Sequence, residues 1–257
     1  MAKYDLDYYE EIRLAEEGDL DAMFNVASYM VWGDQTSPMD PDMAETAIKY
    51  YSANADNGDT DAMLDLGAMY LVGRGVKQNR EKALMWYKKA ADLDGQRACR
   101  CIGNLYRYDN LDDGTPVPTS DRERLRQAFE WYKKGAESGE ENCLYELGDY
   151  YRFGRLVEKD EAKAFDLYSL ALEVIEEEIM TDHFLINDSY ADVCLRLAEC
   201  YHYAIGTEKN MIKAKELIQT ALMDAESRAK DGDPYGSGVL IDVRKEWQAI
   251  MAETEFA

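Results

Sequence analysis

The sequence predicts an all-α solenoid of about five stacked helix pairs with a helical cap at each end, a single domain over residues 1–257. Three observations carry this. Two anchor patterns recur along the chain, their spacing is constant apart from insertions, and both anchors lie on apolar stripes that neither helix of a pair buries alone.

The first anchor is a hydrophobic residue, a small residue, two more and then an aromatic. It occurs as Leu66-Gly67 with Tyr70, Ile102-Gly103 with Tyr106, Leu147-Gly148 with Tyr151 and Leu197-Ala198 with Tyr201. Val26-Ala27 with Met30 is a weaker copy. The second anchor is an alanine followed four positions later by a ring or a branched residue: Ala47 and Tyr51, Ala83 and Tyr87, Ala128 and Tyr132, Ala164 and Tyr168, Ala214 and Ile218. First to second anchor is 16 residues at 67 to 83, 148 to 164 and 198 to 214; second to next first is 20 at 47 to 67, 83 to 103 and 128 to 148. The period is therefore 36 residues, interrupted only by insertions of 4, 9 and 14 in the steps 27 to 47, 103 to 128 and 164 to 198. A period in this range marks a solenoid.

Along the chain, residues 1–18 form an N-terminal cap in which Tyr8 to Glu17 is half a repeat. Repeat 1 covers 19–57, with its insertion between Gly33 and Pro41. Repeat 2, residues 58–94, is the most regular: Ala62, Leu66 and Tyr70 share one face of its first helix, and Ala83, Trp86, Tyr87 and Ala90 form the facing stripe. Gly67 admits a neighbouring helix, with Tyr70 filling the space beside it, and Gly73-Arg74-Gly75 offers a left-handed helix cap. Asp19, Asp59 and Ser138 or Glu140 suit the positive ends of first helices. Repeat 3 covers 95–138 with a loop at 108–120 that contains Asp112-Asp113-Gly114-Thr115-Pro116-Val117-Pro118 and cannot be helical. Repeat 4 covers 139–173. The insertion at 174–188 extends the preceding helix and turns near Asn187, and repeat 5 covers 189–225 with a helix to about Ala225. The C-terminal cap, 226–257, has a breaker at Asp233 to Gly238 and an amphipathic helix from about Val239 to Met251.

Composition narrows the partners. A formal net charge of −23 argues against nucleic acid and against anionic membrane. No stretch approaches the roughly 20 apolar residues of a membrane span, and Met1 to Glu11 lacks the basic start and apolar run of a signal peptide. Five scattered cysteines fit reduced thiols in a cytoplasm, and the one sequon, Asn187-Asp188-Ser189, would matter only in a secretory protein, to which nothing else points.

The chemistry-bearing residue types form no catalytic or metal-binding constellation. Aligned copies put Cys99, Cys143 and Cys194 in core columns and Cys101 in a polar column, where exposure is expected. His183 and His202 have no ligand-spaced partner, and Cys200 and His202 point to different faces. Gly73-Arg74-Gly75 has neither a preceding strand nor a following Gly-Lys-Ser/Thr, so it is a cap and not a phosphate loop. No cofactor, metal or enzymatic activity is expected.

The Leu-Gly-x-x-Tyr and Ala-x-x-x-Tyr anchors resemble the tetratricopeptide signature. The 36-residue period, Gly73-Arg74-Gly75-Val76 and Trp86-Tyr87-Lys88-Lys89-Ala90-Ala91 are similar to the Sel1-like repeat (SLR) branch of that superfamily, over about residues 19 to 222. The resemblance implies a right-handed superhelix of antiparallel helix pairs that acts as a protein-interaction scaffold, with no catalytic residues of its own. In such scaffolds one face of the first helices lines a concave groove. Here those columns are Asp65, Ala68 and Val72; Cys101, Asn104 and Tyr108; Glu146, Asp149 and Phe153; and Arg196, Glu199 and Tyr203. Beside them Arg100, Arg107 and Arg152 are placed to meet a carboxylate, and mixed charge ending in an aromatic suits peptide recognition.

Charge is also segregated. Residues 74 to 107 hold nine Lys/Arg against three acids, and residues 135 to 194 hold four against sixteen. Such a chain steers complementary partners or stacks end to end with itself. The leading expectation is an adaptor that binds a peptide or protein along the groove. The alternative is an acidic inhibitor or immunity-type protein that occludes a basic protein surface. An enzyme would need a pocket built by the 108–120 and 174–188 insertions.

Overall fold

The computed structural model describes residues 4–33, 37–93, 95–107, 122–181, 189–230 and 232–255. The loop expected at 108–120, the turn near Asn187 and the groove residue Tyr108 lie outside them. The described residues form twelve α-helices. The chain divides into two compact units, Met1–Pro118 and Thr119–Ala257.

In the first unit the cap helix α1 (Tyr4–Glu17) packs on α2 (Leu20–Trp32), and α3 (Pro41–Asp56), α4 (Thr60–Val72), α5 (Arg80–Asp92) and α6 (Gln96–Arg107) follow, each against its predecessor. In the second unit α7 (Arg122–Glu137) packs on α8 (Glu141–Phe153), followed by α9 (Glu161–Thr181), α10 (Tyr190–Tyr203), α11 (Met211–Lys230) and the cap helix α12 (Pro234–Glu255), which meets both α11 and α10. No helix of the described residues is long and apolar enough to cross a membrane.

The two anchors meet within each pair. A Cβ on Gly67 would overlap the ring of Tyr87, and one on Gly148 would overlap the ring of Tyr168. The ring that fills the space beside the glycine thus comes from the second helix, 20 residues on, and not from Tyr70 as the sequence suggested. Helical geometry explains the difference: Tyr70 lies one turn further along its own helix, half-buried, where Lys82 covers its ring. Tyr51, Tyr132, Tyr150 and Tyr168 are among the largest side chains fully removed from water. In the fifth repeat Ala198 takes the glycine position and Ile218 the ring position, so a larger small residue goes with a narrower partner in the same core.

Three hairpin turns share one design. The first helix ends in a left-handed residue, Gly73, Gly154 or Ala204 (φ 74, 62 and 58°), and a second left-handed residue stands two positions on at Gly75, Leu156 or Gly206. The chain is then closed by amide donation from Asn79 to the Tyr70 carbonyl (2.8 Å), from Asp160 to Tyr151 (3.0 Å) and from Asn210 to Tyr201 (2.9 Å). The same three residues cap the next helix, accepting from the amides of Lys82, Lys163 and Lys213. Each capped lysine folds back over the first-anchor tyrosine, at 4.7, 4.0 and 5.0 Å from the ring centroids. Asp19, Asp59 and Glu140 cap the first helices as amide acceptors, which settles the choice between Ser138 and Glu140.

Two boundaries differ from expectation. The helix expected to stop near Ala225 continues to Lys230, because buried Arg228 anchors its last turn by donating from Nε to Asp233 (2.7 Å). The final helix begins at Pro234 and not near Val239. The break is a residue at φ +87°, Gly232, and proline is compatible with a first helical turn, where no amide is required.

Ala204 carries a Cβ at a position where its counterparts are Gly73 and Gly154, and it is exposed. Ala204→Gly is therefore expected to stabilise the protein by about 0.5–1 kcal/mol, the left-handed penalty less glycine's extra chain entropy. A thermal melt should show the midpoint rise by a few degrees at most.

Candidate functional site

The second unit brings together most of the groove residues expected from the sequence. On α8, Asp149 and Arg152 lie one turn apart; on α10, Arg196 and Glu199 do the same with the charges reversed. Arg196 donates from Nε and Nη2 to the two oxygens of Asp149 (3.0 and 3.4 Å). Arg152 donates from Nη1 to Glu199 Oε2 (2.6 Å), and Arg196 Nη1 lies 3.6 Å from the same oxygen. Both cross-helix pairs span 47 residues, so the equal offset is a register in which each cation faces an anion. From the core side the Tyr168 hydroxyl donates to Asp149 Oδ1 (2.7 Å).

Asp149 and Arg152 are buried, as is Glu146 one turn earlier on α8. Burial disfavours an arginine's charge, yet Arg152 and Arg196 are held above their usual range because adjacent acidic groups outweigh it: chiefly Glu199 for Arg152, and Tyr145 with Asp149 for Arg196. Burial and the neighbouring Asp149 likewise push the Tyr168 hydroxyl up. The network is satisfied internally. What it presents outward is aromatic. Phe153 is 46% exposed, with the guanidinium carbons of Arg155, Arg152 and Arg196 at 4.8, 5.1 and 6.0 Å from its ring centroid. Tyr203, 53% exposed, stands at the end of the α10 stripe.

The stripe continues onto α12, which sequence reasoning did not connect to it. His202 is 1% exposed; its Nδ1–H donates to Glu246 Oε1 (2.6 Å) and its Nε2 lies 3.2 Å from Glu253 Oε1. The Tyr203 hydroxyl donates to Glu246 Oε2 (3.2 Å), and Lys209 donates to Glu253 (2.7 Å). Lys209 and His202 hold the Glu253 carboxyl below its ordinary value. The sequence showed no ligand-spaced partner for His202, because the partners lie 44 and 51 residues on, in a cap outside the repeat.

Asp192 opens the α10 stripe, one turn before Arg196. Burial raises its carboxyl to about 6, against the opposing pull of Arg196 and Arg228 and with some help from Asp149 and Asp242. It is the acid of this surface that is costly to ionise.

In the first unit, Asp65 accepts from the indole N–H of Trp32 (3.1 Å) beside the Tyr51 hydroxyl, and burial raises its carboxyl. On α6, Arg100 and Arg107 are half-buried and Asn104 is exposed. Cys101 is half-buried and not exposed as its column suggested, while Cys99, Cys143, Cys194 and Cys200 are buried. Burial pushes the Cys200 thiol up to about 12, so it is no ready nucleophile.

The Sel1 repeat family model matches residues 20–59, 60–95, 109–140, 142–173 and 191–223. Among solved structures, a protective antigen of uropathogenic Escherichia coli with an SLR fold is similar at 24% identity and TM-score 0.62, over 98% of this chain and 50% of the antigen, so the chain spans about half that protein's length. A Sel1 repeat protein from Oxalobacter formigenes is similar at 22% identity and TM-score 0.60, over 86% of this chain and 80% of that one. An immunity protein from Pseudomonas aeruginosa is similar at 20% identity and TM-score 0.51, over 91% and 82%. The shared fold is an all-α repeat superhelix.

Two outcomes follow from this geometry. An unfolded aspartate titrates near 3.9, so the folded state holds the Asp192 proton more tightly. That residue therefore weakens the fold progressively as pH rises from about 4 to about 6, and by a constant amount above. Asp192→Asn should be more stable than wild type by about 2–3 kcal/mol at pH 7.5, with the gap closing toward pH 4 in paired denaturant titrations. Glu246→Ala strands the buried His202 Nδ1–H and the Tyr203 hydroxyl, and should cost about 1–3 kcal/mol. Hydrogen exchange should then quicken in α12 before α8.

Proposed function

From the premise that this chain belongs to the Sel1 repeat family, we propose that it is a non-enzymatic interaction scaffold that holds a basic segment of a partner protein against the stripe of α8, α10 and α12. The observation that carries this reading is the Asp149–Arg196–Glu199–Arg152 network beneath two exposed aromatic side chains. A rigid aromatic set on a desolvated polar base is what a binding hot spot requires, because little side-chain freedom remains to be lost on association.

The sign of the partner follows from the surroundings. Six acids of the stripe, Glu146, Asp149, Asp192, Glu199, Glu246 and Glu253, stand with four cations, Arg152, Arg155, Arg196 and Lys209, so the surface keeps a modest excess of negative charge, in a stretch (135 to 194) that holds sixteen acids against four bases. A lysine or arginine brought beside Asp192 would also relieve the cost of ionising it. The groove arginines thus act as braces for the carboxylates and the aromatics, and the partner supplies the further cations. In the first unit, taken by itself, Asp65, Arg100, Asn104 and Arg107 are proposed as a second, lesser contact surface.

A second reading narrows the partner to a basic enzyme or toxin that the chain occludes as an immunity-type inhibitor. It draws on the formal charge of −23, on the sixteen acids between residues 135 and 194, and on the fold shared with the Pseudomonas immunity protein. Steep loss of affinity with salt favours it, since steering by a whole acidic surface is screened while anchored aromatics are not.

A peptide array of basic and acidic segments tests the main reading. Basic peptides should bind, and Phe153→Ala combined with Tyr203→Ala should weaken binding at least tenfold at a temperature where circular dichroism shows the variant fully folded, since loss of the Tyr203–Glu246 hydrogen bond also lowers the melting temperature. Equal binding of acidic peptides would sink it.

A further inference from the structure

A cleft of about 450 Å³ lies between the second helices α9 and α11, with α10 as its floor. Its wall and floor are apolar at Leu172, Leu197 and Leu217, while its rim carries the exposed carboxylates of Glu173, Glu176 and Glu216. Leu197 and its neighbour Tyr201 project from a different side of α10 from Arg196, Glu199 and Tyr203, so this is a separate place from the stripe above.

An irregularity in the repeat adds to the rim of this cleft. In repeat 2 the second helix ends at Asp92, nine residues past its anchor Ala83; nine past Ala164 is Glu173. The 21-residue α9 runs on to Thr181 and so lengthens one wall beyond the regular unit, while the α11 residues that line the cleft, Lys213 to Thr220, lie within nine of their anchor Ala214. Glu176 belongs to that extension.

The geometry points to a docking cleft for a lysine or arginine side chain and its apolar neighbour on a partner protein. Charge complementarity selects this occupant. Three rim carboxylates stand against one cation, Lys213, and that lysine is turned onto Tyr201, donating to its hydroxyl (3.2 Å) with Nζ 5.0 Å from the ring centroid. Lysine and arginine are the side chains that match the remainder: an aliphatic stem to lie on leucines and a charged head to reach a rim. Lys213 itself shows the mode, a cation resting on an apolar floor at one end of the cleft. The volume suits one such residue with one apolar companion.

The test uses the full chain with labelled leucine and isoleucine methyls. N-acetyl-Leu-Lys-Leu amide should shift the methyl resonances of Leu172, Leu197 and Leu217, and N-acetyl-Leu-Glu-Leu amide should not. Glu173→Gln, Glu176→Gln and Glu216→Gln together should weaken the lysine peptide at least tenfold; these side chains are exposed, so an unchanged melt confirms the fold. The Phe153→Ala, Tyr203→Ala variant should respond as wild type, which separates this site from the stripe. The inference is overturned if both peptides shift the methyls alike, if the lysine peptide moves none of them, or if the triple variant binds as wild type. Butylammonium binding as tightly as the peptide would also overturn it, leaving a site for small cations.

Discussion

The contact on which the rest of the structure depends is a tyrosine ring lying against a glycine. At Gly148 the space of a side chain is given over to Tyr168, and at Gly67 to Tyr87. That brings the two helices of a pair close enough to exclude water from both stripes, and it fixes their register to the residue. The hydroxyl then carries the register outward: Tyr168 is fully buried, yet its oxygen donates to Asp149, the first member of the charged network. Tyr51 bears on Asp65 in the same sense in the first unit. A core residue that ends in a polar atom thus joins packing to surface chemistry.

This explains why buried charges persist in the second unit. A lone buried ion pair is a poor source of stability, because desolvation opposes the Coulomb gain. Here each charge has more than one partner, and two neighbouring first helices are tied at an offset of 47 residues, which a slip of either helix would break. The network acts on specificity of stacking more than on its strength. The His202–Glu246 contact does the same for α12, locking a cap helix that has no repeat of its own to define its position.

Much of this was legible in the sequence. The 36-residue period locates the helix pairs, and the groove columns name Asp149, Phe153, Arg196, Glu199 and Tyr203, with Arg152 beside them. Periodicity reads which residues share a face; it does not read which residue of another helix they meet. Hence the sequence puts Tyr70 and not Tyr87 beside the glycine, and it offers His202 no partner on α12. The arginines looked like ligands for a partner's carboxylate, since a column shows a side chain's direction and not whether its charge is already answered. The cleft was invisible for a different reason: it lies between the second helices of neighbouring repeats, and its rim acid Glu176 sits where α9 overruns the regular unit, whereas periodicity reads only one helix face at a time.

Repetition and recognition make opposite demands on a chain of this kind. Stacking requires that each pair present the same glycine, ring and capped turn to the next, and those positions cannot also be varied to suit a partner. The chemistry therefore moves to what stacking leaves unconstrained: the outer stripe of the first helices, the helix ends beyond the last anchor, and the caps. Repeat 2, where every turn residue and cap conforms, has its first- and second-helix tyrosines engaged in its own packing. Repeats 4 and 5, with an overlong α9, an alanine where a glycine is expected and α12 laid against them, hold the charged network, the exposed aromatics and the acidic cleft together. The departures from the unit are spatially adjacent although they are scattered in sequence, and that adjacency makes one end of the second unit the place where selection for a partner could act without unstacking the fold.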